Sequence, residues 1–224
     1  MRSFNHSPKV KKHPLRHRIE GGEGLHLDFK YEISDAPKIA RSLSAFANTD
    51  GGSLLVGVKD NGVVTGVASE EEFYMIELAA QRYCKPEVAF ETKEWNVDGK
   101  KILEVIIPKG RRIPYKAPDK KGDFKAFVRV ADENILACGV QMKVWKKQNS
   151  DLTISFSSQP EEHLLLQLLR ENEYLTPAQL STAAHLSKFK AENLLSDFVV
   201  LGLARIEPTP EGCRFTATDP EIHL

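Results

Sequence analysis

Eight cations crowd one stretch of the sequence: Lys109, Arg111, Arg112, Lys116, Lys120, Lys121, Lys125 and Arg129 face only Asp119 and Asp123, with Tyr115 and Phe124 between them. Lysine and arginine neutralise phosphate charge, and an aromatic ring offers a face on which a base stacks. The pattern fits a nucleic-acid backbone, with Lys30 as a further cation from earlier in the chain. It fits equally a solvated loop whose long side chains cover a sheet edge, since lysines there block edge-to-edge association. In AFVRV, residues 126–130, Arg129 alternates with Val128 and Val130, so it is expected on the opposite face and is the preferred phosphate contact.

A second place for an anion is the turn Asp50-Gly51-Gly52, whose exposed amides can form a nest. The glycines first serve the backbone, by allowing left-handed geometry and close approach. No G-x(4)-GK[ST] loop is present. Cys84, Cys138 and Cys213 are odd in number, far apart and without metal-like spacing, which predicts a reducing, cytoplasmic setting. His163 and His185 lie among apolar helical neighbours and read as ordinary helix residues, while Trp95, Met142 and Trp145 read as core or interface anchors.

These residues need a scaffold, and 224 residues with 41% hydrophobic and 28% charged side chains supply one or two globular domains. The net charge of zero is a cancellation. Residues 1–157 hold 26 basic and 21 acidic side chains, residues 158–224 hold 5 and 10. No signal-peptide h-region and no 18-residue apolar run occurs, so neither secretion by signal peptide nor a membrane partner is supported.

Residues 1–19 carry six Lys or Arg and no acid, and read as a mobile basic arm. A short strand is expected at LHLDF, then a helix capped by Ser34 or Asp35 with Ile39, Leu43 and Phe46 on its buried stripe. SLLVGV reads as a buried strand, with Asp60-Asn61-Gly62 as a hairpin signal before VVTGV. Ser69 is the expected N-cap of a second helix, and Asp98-Gly99 the turn of a further hairpin. Residues 132–147 read as a helix and LTISF, 152–156, as an edge strand. The fold class is therefore α/β of the α+β kind: a mixed, mostly hairpin-connected sheet with packed helices, spanning 20–147. A linker at 148–159 leads to residues 160–224, where three amphipathic helices, the second starting at Thr176 and the third capped by Ser187, and a hairpin resemble the winged helix-turn-helix family.

EGLHLDFK, AFANTDGG, GVKDNG, IPYK and AFVRV occur in an order that resembles the Schlafen AlbA domain family over about residues 20–137. The motif positions Asn48, Thr49, Gly51, Gly52 and Gly57 are expected to serve the fold, Asn48 and Thr49 by satisfying backbone groups at the helix end. The resemblance also implies a carboxylate set. Family members that cleave RNA use three acids that match Glu23, Asp28 and Asp60, which would hold Mg²⁺ or Mn²⁺ through oxygen ligands. Asp28 stands where the family has Glu, and a continuous strand would leave Glu23 and Asp28 roughly 16 Å apart. They meet only if Gly21, Gly22 and Gly24 make a turn. The ATP-binding label often given to the family finds no phosphate loop here.

Three functions follow as expectations. The first is a nucleic-acid-binding protein, a transcriptional regulator acting on DNA or structured RNA, using the cations above with Lys188 and Lys190 of the winged helix. The second is a metal-dependent endoribonuclease with Glu23, Asp28 and Asp60. The third is a non-catalytic module that forms a homodimer.

Overall fold

The computed structural model describes residues 13–67, 71–111, 114–151 and 153–219. Its centre is a four-stranded sheet of β1 (Leu27–Lys30), β2 (Gly52–Val56), β3 (Glu91–Val97) and β4 (Lys100–Ile107) in the order β1-β2-β4-β3. β1 and β2 run parallel and the other pairs antiparallel. The parallel pair needs a crossover, which is α2 (Ala36–Asn48). The mixed sheet expected from the sequence is thus present.

α2 forms because Asp35 accepts from the Lys38 amide at 3.0 Å, Pro37 sits in its first turn, and Ile39, Leu43 and Phe46 repeat at helical spacing. With α3 (Glu71–Arg82) it covers Leu54, Val56, Leu103, Val105 and Ile107 on one sheet face. The other face packs Phe29, Leu55 and Ile102 against Leu15 and Ile19 of α1 (Pro14–Glu20). Over residues 14–19 that helix corrects the expected arm: its apolar pair Leu15 and Ile19, four apart, is buried. Arg18 anchors it by donating at 2.6 Å to Glu104, which also accepts from Trp95 Nε1 at 2.7 Å. Burial alone raises the Glu104 carboxyl, but Arg18, Trp95 and Ser53 outweigh that and hold it below its usual range.

A three-stranded antiparallel sheet, β5 (Lys116–Pro118), β6 (Phe124–Val130) and β7 (Glu133–Leu136), packs beside α2. β7 and α4 (Gly139–Gln148) replace the single helix expected at 132–147; Ala131 takes φ 50° and turns the chain back onto β6. The Asp98-Gly99 turn joins β3 to β4 with φ of 53° and 79°, as the sequence predicts. Asp60-Asn61-Gly62 also turns, and VVTGV returns along the chain through the bridge Val58 to Val64 and the Thr65 amide donating to the Gly57 carbonyl at 2.9 Å, before the Val67 amide donates to the Lys101 carbonyl at 2.7 Å.

The chain continues through α5 (Pro160–Glu171), α6 (Pro177–Ala183), α7 (Lys188–Val200) and the hairpin β8 (Ala204–Thr209) and β9 (Gly212–Ala217). Thr176 and Ser187 cap their helices as expected. Leu165, Leu195, Phe198 and Phe215 form this region's core, joined by Val140 and Val144 of α4. On its other side, α4 packs Trp145 against Ala126 and Val128. Residues 153–156 form no strand, and Ser69, Arg112, Leu152 and the first 12 residues lie outside the described ones. No described helix is long and apolar enough to cross a membrane.

The cysteines depart from the expectation. Cys138 and Cys213, 75 residues apart, form a disulfide with their Cα atoms 6.3 Å apart, and only Cys84 is free. The bond fastens the start of α4 to β9. Folding brings together what sequence spacing kept apart, so the cysteine pattern gives no support to a reducing setting.

Candidate nucleic-acid interface

The turn between α1 and β1 makes the site. Gly24 and Leu27 bridge each other, with the Gly24 amide donating to the Leu27 carbonyl at 2.8 Å, so the chain doubles back within four residues. Gly22 takes φ 78° on the way in. This fold-back brings Glu23 beside β1, where its Oε1 accepts from the Phe29 amide at 2.6 Å and its carboxyl hydrogen-bonds Asp28. The separation expected of a continuous strand is closed.

Asp28 is buried at the base. Its Oδ2 lies 2.9 Å from Lys30 Nζ and 3.5 Å from Ser42 Oγ, and its Oδ1 lies 3.4 Å from Arg129 Nη2. Burial pushes the Asp28 carboxyl up, but the hydrogen bond from Glu23, together with Lys30 and Arg129, outweighs it and holds the group low. Glu23 takes the proton of the pair. Its carboxyl is pushed up to about 7, first by burial and then by the bond to Asp28, while the Phe29 amide and Lys30 oppose the rise.

Arg129 overturns its reading as a phosphate contact. It is 2% exposed: Nε donates to the Gly24 carbonyl at 3.1 Å, Nη1 to Asn134 Oδ1 at 3.2 Å, and Nη2 to the Leu27 carbonyl at 3.2 Å as well as to Asp28. Alternation does place it opposite Val128, but that face of β6 lies against the Glu23 turn rather than solvent. Arg129 is a positioning residue. Asn134, which donates to Ser42 Oγ at 3.0 Å, ties this network to α2.

Around this floor opens a cleft of about 910 Å³. Lys38 and Arg41 of α2 stand on one side, Lys120 and Lys121 of the β5–β6 loop line another, and Asp60, Asp132 and Glu133 supply exposed carboxylates. Asp119 also lines it, but its Oδ1 accepts from the Lys121 and Asp123 amides at 2.8 and 3.0 Å, which holds the loop in shape and its carboxyl below the usual range. The structure brings together Glu23, Asp28, Lys30, Asp60, Lys120, Lys121 and Arg129 from the expected set. Lys38, Arg41, Ser42 and Asn134 were not foreseen, because on α2 a polar face beside an apolar stripe reads simply as solvated.

The remaining expected residues lie elsewhere. Lys109 pairs with Asp50 at 2.9 Å, Lys116 is half-buried on β5, Arg111 is exposed outside the cleft lining, and Lys188 and Lys190 stand on α7. Neither expected stacking ring faces the cleft: Tyr115 packs on the core, and Lys85 covers Phe124 at 4.1 Å. Asn48 bonds across to other elements, donating to the Tyr115 and Phe127 carbonyls and accepting from the Tyr115 amide at 2.7 Å. Thr49 does serve the helix end, donating to the Ala45 carbonyl at 2.8 Å, and accepts from the Arg129 amide. Gly51 and Gly52 are required by the backbone: at φ 74° a Cβ on Gly51 would lie 2.7 Å from the Ile107 carbonyl, and one on Gly52 would lie 2.5 Å from the Phe46 ring.

The three-carboxylate cation site is not assembled. Among the described residues no three His, Cys, Asp or Glu side chains form a group able to hold a metal ion. Asp28 faces Lys30 and Arg129, and the Glu23 carboxyl hydrogen-bonds Asp28, so both acids already have partners.

The Schlafen, AlbA_2 family model matches residues 23–137. The chain belongs to this family. The match begins at Glu23 itself and ends one residue before Cys138, so the AlbA_2 segment contains the whole acid pair, Arg129 and the cleft lining. Among solved structures, the chain is similar to the DIP2311 protein of Corynebacterium diphtheriae, at 18% identity and TM-score 0.44, over 87% of this chain and 34% of that one. It thus covers about a third of that protein's length. It is also similar to the N-terminal domain of a RecG-related protein of Nitrosomonas europaea, at 20% identity and TM-score 0.36, over 65% of this chain and 95% of that domain.

The acid pair carries a pH signature. Folded Glu23 keeps its proton to about pH 7, whereas the unfolded side chain releases it near 4.5. Between these values the folded state binds more protons, so this contribution is full below pH 4.5 and is lost as the pH rises through 7. Asp28 acts oppositely and lower, stabilising above its ordinary 3.8 and losing that on acidification. Thermal melts of Glu23→Gln between pH 4 and 8 are expected to lose the decline across 4.5 to 7.

Proposed function

We propose that the AlbA_2 cleft binds the phosphate backbone of a nucleic acid. The observation that carries this reading is the placement of Lys38 and Arg41 on α2 and of Lys120 and Lys121 on the β5–β6 loop around one cleft. Cations on separate elements neutralise phosphates, and the Glu23–Asp28 pair and Asp60 line the same cleft. A purely passive backbone site would gain nothing from buried acids. Glu23, with its proton held to about pH 7, is matched to proton transfer near neutrality.

That match favours a second reading, phosphodiester hydrolysis in the same cleft, with Glu23 as the proton-transferring group. Asp28 and Arg129 would fix its position. The C-terminal helices and hairpin, with Lys188 and Lys190 on α7, would then add a second contact to the polymer in the manner of a winged helix.

Fluorescence anisotropy with labelled single-stranded RNA and duplex DNA tests the first reading. The Arg41→Glu, Lys121→Glu double variant is expected to weaken binding at least about tenfold and to reduce the slope of log K against log salt, for each phosphate that the variant leaves unneutralised, by roughly 0.9 on duplex DNA and roughly 0.7 on single-stranded RNA. Unchanged affinity and slope would overturn it. Incubation of the RNA with wild type and Glu23→Gln, with and without Mg²⁺ or Mn²⁺, tests the second: cleavage by wild type and none by the variant is expected.

A further inference from the structure

Away from the cleft, the other end of the main sheet has an unpartnered edge beside a groove. β3 is the last strand in the order β1-β2-β4-β3, seven residues long and mostly exposed, with no strand on its outer side among the described residues. α2 and α3 cover β2 and β4 but leave the β3 face open, so Thr92 and Glu94 look onto the flank of α3. Two adjoining hollows of about 500 and 350 Å³ share Phe73, Glu77 and Thr92 and form one trough along the strand.

Two chemistries line the trough. Phe73 is 40% and Tyr74 60% exposed, among the largest apolar side chains left in solvent, and Phe73 is steadied edge-to-face by Phe90 at 6.4 Å. Glu77 and Glu87 have no ion-pair partner among the described residues. Lys101, the one cation in the lining, is bound to Glu94 at 2.6 Å. An exposed strand edge supplies main-chain hydrogen bonds to an extended peptide, aromatic faces attract ammonium and guanidinium groups, and unpaired carboxylates select cations.

We propose that this trough docks an extended, Lys- or Arg-bearing peptide from a partner protein, added as a strand outside β3 with its cationic side chains over Phe73, Tyr74, Glu77 and Glu87. The trough is acidic on balance, whereas the cleft mixes cations and carboxylates, and the trough needs no part of the cleft. A nucleic acid is disfavoured here by the same carboxylates.

The probe is a fluorescein-labelled peptide of about eight alternating Lys and Val residues, a strand's length, titrated with the full chain at low salt. Saturable binding is expected, weakened about tenfold or more by Glu77→Lys with Glu87→Lys and, separately, by Phe73→Ala. Phe73 and Glu87 are exposed and Glu77 is half-buried, and circular dichroism checks that each variant keeps the fold. The Arg41→Glu, Lys121→Glu variant should bind the peptide as wild type does. A peptide N-methylated on alternate residues should lose affinity, because it cannot pair with the edge. Binding that survives both groove variants, or equal binding of the methylated peptide, overturns the proposal. Two other occupants would also overturn it. Tighter peptide binding after deletion of residues 1–12 would place the chain's own basic segment in the trough, and a dimer dispersed by Phe73→Ala would place a second copy there.

Discussion

Replacement of Arg129 by Met is expected to destabilise the fold by about 3 to 5 kcal/mol, the range for removing one partner from a buried ion pair. The guanidinium serves four acceptors: the Gly24 and Leu27 carbonyls, Asn134 Oδ1 and Asp28. Two of these belong to the turn that carries Glu23 back over β1, so the variant unfastens the site's floor as well as the fold. Lys30 remains on Asp28, so the carboxylate is not left wholly uncompensated. Arg129→Lys keeps the charge but cannot reach four acceptors from one fork, and should recover less than half of the loss. Urea denaturation of the three proteins checks this. An exposed phosphate contact, as strand alternation alone implied, would behave differently: affinity for nucleic acid would fall and the denaturation midpoint would hardly move.

That contrast shows where sequence reasoning succeeds and stops. Local signals were legible: Asp35, Thr176 and Ser187 as caps, Asp98-Gly99 as a turn, and the apolar stripe of α2 all act through residues within a few positions of one another. The meeting of Glu23 with Asp28 was legible as a condition, since the glycines either turn the chain or leave the acids far apart. What alternation cannot supply is the identity of the element facing Arg129, because that is fixed by contacts about 100 residues away. The same limit hid Asn48, whose three bonds to Tyr115 and Phe127 cross from α2 to the second sheet. Lys38 and Arg41 escaped for another reason. Their local pattern is that of any solvated helix face, and only the opposing β5–β6 loop turns that face into the wall of a cleft.

The disulfide is the strongest case of a long-range constraint with no local trace, and its effect should be large. Closing a loop across the sequence separation of 75 from Cys138 to Cys213 removes unfolded-state entropy worth about 4.5 kcal/mol in the chain-entropy treatment. Reduction, or the Cys138→Ser, Cys213→Ser double variant, is therefore expected to lower stability by up to about that amount. The bond joins the N-cap of α4 to β9, so the loss should appear first in the packing of Val140 and Val144 against Leu195 and Phe198. Urea denaturation with and without reductant measures the free energy, and amide exchange of α4 and β9 locates it. Thiol titration provides the control. Without reductant the denatured chain should expose a single thiol, Cys84, whose burial pushes it up to about 12 in the folded state and keeps it unreactive there. Three titratable thiols under the same conditions, with no stability difference on reduction, would show that α4 and β9 are held by packing alone.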